Sequence, residues 1–248
     1  MRGVRFARGV ARVLRAVVHV LHGLWIVAVP FARLDAAGRA LQVQQWARGM
    51  LRVLGVAWQA DGRIAIGPCL LVANHISWLD ILVIHAVCPQ ARFVSKADVK
   101  RWPVLGRLVS AAGTLYIERE RRRDAMRVVH HVAEALRAGD VVVVFPEGTT
   151  SDGYAVLPFH ANLLQAAIVI GAPVQPLALT YADARHAVSP AAAYVGDTHL
   201  LRSLWSVVCA QGLQARVRVL PTVPSLGLER RVLAQQLHAT ITRARLGS

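Results

Sequence analysis

Leu70-Leu71-Val72-Ala73-Asn74-His75-Ile76-Ser77-Trp78-Leu79-Asp80 is the stretch from which the fold of this 248-residue chain can be read. It opens as an unbroken apolar run, the pattern of a strand buried on both faces of a parallel sheet; a strand with one wet face would alternate. It closes with a histidine and, five positions on, an aspartate. In an open α/β sheet the carboxyl end of a strand is where side chains reach a ligand crevice. A histidine with a pKa near about 6.5 can take a proton from an alcohol, while a carboxylate on its other ring N–H fixes the tautomer and stabilises the imidazolium. His75 and Asp80 are therefore the candidate general base and its orienting partner.

Working outward, short runs of the same kind recur at Arg92 to Ser95, Thr114 to Ile117, Val141 to Phe145 and Val174 to Leu179. Further strands are expected near Ala192 to Val195 and Arg216 to Leu220. Helical segments alternate with them. From about Asp124 to Ala138, Ala125, Val128, Val129, Val132 and Leu136 fall on one face and Gly139 supplies a stop, and a last helix is expected from about Leu228 to Arg243. The alternation predicts an α/β fold with a central, mostly parallel sheet covered by helices. The run Val141 to Phe145 leads into Pro146-Glu147-Gly148-Thr149-Thr150-Ser151, a turn whose N–H groups and hydroxyls suit an anionic or polar headgroup.

Upstream of the sheet the pattern is different. Arg2, Arg5, Arg8, Arg12 and Arg15 precede an uncharged run from Ala16 to Ala32, which at 1.5 Å per residue reaches roughly 25 Å, a little short of a bilayer core. Asp35 to Leu54 follows as an amphipathic helix. Together they predict a membrane-associated helical hairpin over residues 1–60, with arginines placed for anionic headgroups, ahead of an α/β domain over residues 61–248. Hydrophobic residues make up 55% of the chain, and 29 basic residues against 14 acidic give a net charge of +15. That charge calls for an anionic partner, and the apolar content favours lipid over nucleic acid. The basic run Arg119 to Arg123 lacks interleaved aromatics, and His130 and His131 are adjacent rather than four apart, so neither nucleic acid nor a metal is expected there. Cys69, Cys88 and Cys209 form no C-x-x-C pair and fit a reducing, cytoplasmic setting.

Asn74-His75 with Asp80, then Phe145-Pro146-Glu147-Gly148-Thr149, resembles the lysophosphatidic acid and glycerophospholipid acyltransferase family. Phe93, Lys96, Pro103, Gly106 and Gly113 through Arg119 are similar to its second block, and Ala172 through Leu177 to its fourth. The resemblance covers about residues 68–180. It implies an enzyme esterifying the free hydroxyl of a lysolipid, with His75 as base and Asp80 as partner. Lys96, Arg119, Glu147, Gly148 and Thr149 would bind the acceptor, and Pro176 would shape the acyl side. The implied donor is acyl-ACP, which makes an acyl carrier protein a partner, or acyl-CoA; no metal or other cofactor is implied. The implied location is the cytoplasmic face of the inner membrane. Ser77 has no G-x-S-x-G elbow around it and is not expected to be a nucleophile.

The chain departs from the commoner family pattern at the headgroup. Thr150 stands where an arginine is frequent, and His160 follows Phe159 where a lysine or arginine is common. A phosphate would meet fewer permanent cations. Lysophosphatidic acid, lyso-ornithine lipid and other lysophospholipids all remain open as acceptors.

Overall fold

The computed structural model describes residues 2–117 and 122–246. It contains α1 (Arg2–Ala28), α2 (Ala36–Leu54), β1 (Ala57–Asp61), β2 (Cys69–Ala73), α3 (Leu79–Val87), β3 (Ala91–Lys96), α4 (Leu105–Ala111) and β4 (Leu115–Ile117). The chain continues through α5 (Arg122–Arg137), β5 (Val141–Val144), α6 (Leu164–Ile170), β6 (Val174–Ala182), α7 (Leu200–Cys209), β7 (Gln214–Val219) and α8 (Arg230–Leu246). The strands form one sheet in the order β1-β7-β6-β2-β5-β3-β4. Every neighbouring pair is parallel except β6 and β7, which are antiparallel. This is the mostly parallel, helix-covered sheet that the apolar runs predict.

Alternation along the strands divides the core in two. Cys69, Leu71, Val141 and Val143 face one side, in a cluster with Leu51, Leu54, Leu79, Val83 and Val207 of α2, α3 and α7. Leu70, Val72, Val142 and Val144 face the other, in a cluster with Val132, Leu136, Leu164 and Leu237 of α5, α6 and α8. Both faces of β2 are thus covered, and its burial is complete along its length. That is the physical origin of an unbroken apolar run.

The N-terminal hairpin belongs to this packing. Asp35 caps α2 by accepting the Gly38 N–H at 2.7 Å, and Gly55 ends the helix in the left-handed conformation at φ 76°. Leu51 and Leu54 are fully buried, and losing them would remove about 3–6 kcal/mol of apolar burial. Removing residues 1–54 would therefore also uncover core residues of α3 and of the edge strand β1. Helix α1 starts earlier than its apolar run and takes in the basic segment. It packs against α2, α7 and α4. Its outer face exposes Val10, Leu14, Val18, Leu21 and Trp25. Gly23 and Gly49 give the close approach of the hairpin helices, since a Cβ at either would run into Trp46 or His19.

Several local expectations differ from what forms. Ala192 to Val195 is irregular rather than a strand: its backbone bonds to a loop, Tyr194 N–H to the Ile76 carbonyl at 3.1 Å, and not to a sheet edge. Strand β1 carries no unbroken apolar run because it is an edge strand with alternating exposure, and the boundary expected at residue 60 falls inside it. Some arginines expected at headgroups also bond within the protein. Arg12 donates to the Val208 carbonyl at 2.8 Å, Arg39 to that of Phe31 at 3.1 Å, and Arg48 to that of Ala86 at 3.0 Å.

Candidate active site

Strands β2 and β5 are neighbours in parallel register, so the loops leaving their carboxyl ends meet. β2 is the middle strand, with β6 on one side and β5 on the other, and this is where a crevice forms in such sheets. His75 lies on the first loop with its side chain one-fifth exposed, whereas Asp80, in the first turn of α3, is fully buried. Their side chains meet, Nδ1 to Oδ2, at 2.7 Å. A carboxylate only accepts, so Nδ1 donates in this contact, and in the neutral imidazole that tautomer leaves the lone pair on Nε2. The imidazole stacks on Phe145, with ring centroids 4.0 Å apart and planes inclined by 13°.

Asp80 is held from four directions. Oδ2 also accepts the N–H groups of Ile76 at 2.7 Å and Ser77 at 2.9 Å, and Oδ1 accepts the hydroxyl of buried Tyr181 at 2.6 Å. Burial, then the adjacent carboxylate, pushes the Tyr181 phenol well above its ordinary range, so it remains a donor. A buried carboxylate with this many donors is satisfied and orientationally fixed. Tyr181 comes from β6, and no local sequence signal points to it.

Glu147 is the second buried carboxylate. Its Oε1 accepts the His75 backbone N–H at 2.6 Å and its Oε2 that of Leu157 at 2.8 Å. Burial raises its carboxyl above the usual range, while the bonds from His75 and Leu157 pull the other way. Expected at the acceptor headgroup, Glu147 is occupied in tying the β5 turn to the His75 loop. The tie is doubled, because the Ser151 N–H donates to the His75 carbonyl at 2.8 Å. Asn74 extends the framework across to β6, accepting the Leu179 N–H at 2.7 Å and donating to the Leu179 carbonyl at 3.0 Å.

Gly148 and Thr149 are exposed on the turn. Gly148 has φ 70°, which a side chain tolerates poorly, and His160 lies alongside. The Thr150 hydroxyl donates to the Tyr194 carbonyl, so the residue standing in the frequent arginine position latches the segment around Tyr194 onto the turn. Lys96 is exposed at the carboxyl end of β3. Pro176 is buried in β6 beside Val72. Arg119 lies outside the described residues. Ser77 is fully buried, which removes it as a nucleophile. His130 and His131 are exposed on α5, and His130 pairs with Glu134 at 3.1 Å. Among the described residues no three or more His, Cys, Asp or Glu side chains gather as metal ligands.

Residues 39–180 match the sequence pattern of the family described as Acyltransferase. The lyso-ornithine lipid O-acyltransferase of Pseudomonas aeruginosa is 35% identical over 204 residues, which is 82% of this chain and 78% of that protein. The 1-acyl-sn-glycerol-3-phosphate acyltransferase of Neisseria meningitidis is 40% identical over 174 residues, 68% of this chain and 67% of that one. The crystal structure of the 1-acyl-sn-glycerophosphate acyltransferase from Thermotoga maritima superposes with a TM-score of 0.66 at 18% identity, covering 95% of this chain and 97% of that chain. At that identity the likeness is one of fold.

Proposed function

Because this chain belongs to the acyltransferase family, we propose that it is a membrane-bound enzyme moving a fatty acyl group from acyl-ACP or acyl-CoA to the sn-2 hydroxyl of 1-acyl-glycerol-3-phosphate, giving phosphatidic acid. The observation that carries the reading is the His75–Asp80 contact at 2.7 Å at the end of the central strand. With Nδ1–H held by Asp80, Nε2 accepts the proton of the acceptor hydroxyl as its oxygen attacks the thioester carbonyl. Buried Asp80 stabilises the imidazolium that forms. As the tetrahedral intermediate collapses, the C–S bond breaks and the proton on Nε2 passes to the departing thiolate. Acyl group, proton and electron pair are then all accounted for, and His75 is neutral again.

Asp80, Tyr181, Glu147 and Asn74 position the base, while Lys96, Gly148 and Thr149 line the acceptor side, with Arg119 as a further cation. The exposed apolar face of α1 supports a location at the bilayer surface, where the acceptor resides. Helix α1 is long and apolar enough to cross a membrane. Its packing along α2, α7 and α4 supports an in-plane position instead, on the cytoplasmic face, where acyl thioesters are available.

A second reading, acylation of lyso-ornithine lipid, is favoured by Thr150, whose hydroxyl is spent on Tyr194 where a phosphate-binding arginine would otherwise stand. The test uses purified protein, a panel of lysolipids, both donors and product detection by mass spectrometry. Acylated product is expected with lysophosphatidic acid, lyso-ornithine lipid or both, and His75→Ala should lower the rate by about 10² to 10⁴. Failure to acylate any lysolipid, or near-normal turnover by His75→Ala, would sink the reading.

A further inference from the structure

We infer that the connection from β3 to α4, residues 97–104, together with the first turn of α4, is a second membrane contact that enters the headgroup layer of an anionic bilayer beside α1. The inference rests on the membrane reading of α1 and extends it to an element remote in sequence. Trp102 is 45% exposed and Val104 is 44% exposed, with exposed Pro103 between them. An indole beside a proline and a valine at the tip of a connection is an apolar wedge left nearly half open to solvent, and tryptophan favours the membrane–water interface.

The wedge is rigidly presented. The Gly106 N–H donates to the Trp102 carbonyl at 3.0 Å, and a Cβ at Gly106 would collide with the Lys100 carbonyl oxygen. Val104 has φ 67° and ψ −62°, which a β-branched side chain rarely adopts. Its side chain faces outward, so burial within the protein does not offset that strain.

The charge around the wedge matches an anionic surface. Lys100, Arg101 and Arg107 are exposed, with Asp98 as the one acid between residues 97 and 107. Lys100 Nζ stands 5.9 Å from the Tyr116 ring centroid. Helix α4 packs against α1, so the patch adjoins the helix that exposes Leu14, Val18, Leu21 and Trp25. An acidic carrier protein would answer the same cations. The apolar tip and the shared border with α1 favour lipid.

The test uses full-length protein and vesicles of phosphatidylcholine with or without phosphatidylglycerol. The double variant Trp102→Ser, Val104→Gly removes the wedge while placing glycine at the positive φ, so its thermal midpoint should hold or rise. Its partitioning onto vesicles should weaken about tenfold or more. Arg101→Gln and Arg107→Gln should each weaken binding about fivefold, only when phosphatidylglycerol is present. Turnover of a detergent-dispersed lysolipid should be unchanged in all three, and turnover on vesicles should fall. Wild-type partitioning by these variants, alongside release of Leu14→Asp, Val18→Asp, would overturn the inference and leave the role of α1 standing. If the α1 variant also stays bound, both fail. Normal partitioning with turnover lost only for acyl carrier protein donors would make the segment a carrier-docking surface and overturn the inference equally.

Discussion

Replacing Asp80 by asparagine should cost far less activity than removing an orienting carboxylate usually does, because the surroundings dictate which way the amide points. In the native site Oδ2 accepts from His75 Nδ1 at 2.7 Å and from the Ile76 and Ser77 N–H groups at 2.7 and 2.9 Å, whereas Oδ1 accepts only the Tyr181 hydroxyl at 2.6 Å. An amide group turned toward the three N–H donors would orphan all of them, at about 1–3 kcal/mol each. Turned the other way, it donates to the Tyr181 oxygen, which can accept. His75 therefore keeps the Nδ1–H tautomer, and the loss of about 10⁴ that follows a wrong tautomer should not appear. What disappears is the charge opposite the imidazolium, worth about 2–3 kcal/mol, or about 30- to 150-fold in kcat/KM. Release of free thiol, with acylated product confirmed by mass spectrometry, measures it. A fall of about 10⁴ would mean that the amide had flipped despite the backbone donors. A fall under about threefold would mean that no imidazolium forms against Asp80, and the base mechanism would be wrong.

Glu147→Ala should lower unfolding free energy by about 2–5 kcal/mol, since it leaves the His75 and Leu157 N–H groups without their acceptors; an unchanged urea midpoint would show that the tie carries no stability. Thr150→Arg exchanges the latch to Tyr194 for a cation. It should raise the ratio of kcat/KM for lysophosphatidic acid over lyso-ornithine lipid by about tenfold, and a constant ratio would show that position 150 does not face the headgroup. His85 is held neutral by burial, its pKa lowered from 6.5 to about 4. The unfolded chain protonates there first as the pH falls. The associated stability is thus fully present above the unfolded value and is lost, to about 3 kcal/mol, as the pH drops through the folded one. Midpoints at about pH 7 and about pH 4.5 should differ less in His85→Leu than in wild type, and equal differences would assign the acid loss to other groups.

The sequence by itself determined the class of fold and picked out the residues proposed for the chemistry. Unbroken apolar runs such as Leu70 to Ala73 and Val141 to Val144 are legible because a strand covered on both faces has no polar position to spare. His75, Asp80 and Glu147 are legible because they directly follow such runs. An edge strand such as β1 carries no comparable signal because it is half wet, and residues 192–195 read as a strand yet bond to a loop. Only the tertiary structure decided what each of these residues touches. Asp80 is clamped by Tyr181, 101 residues away, Glu147 holds the His75 backbone across 72 residues, and Thr150 reaches Tyr194 across 44. The same holds for the hairpin, whose amphipathic pattern could serve a membrane or a protein interior, and which serves the interior with α2 while α1 keeps its apolar face outward. Periodicity states which side of an element is apolar. The order β6-β2-β5, set by packing the whole chain, states what that side and the loops beyond it will touch.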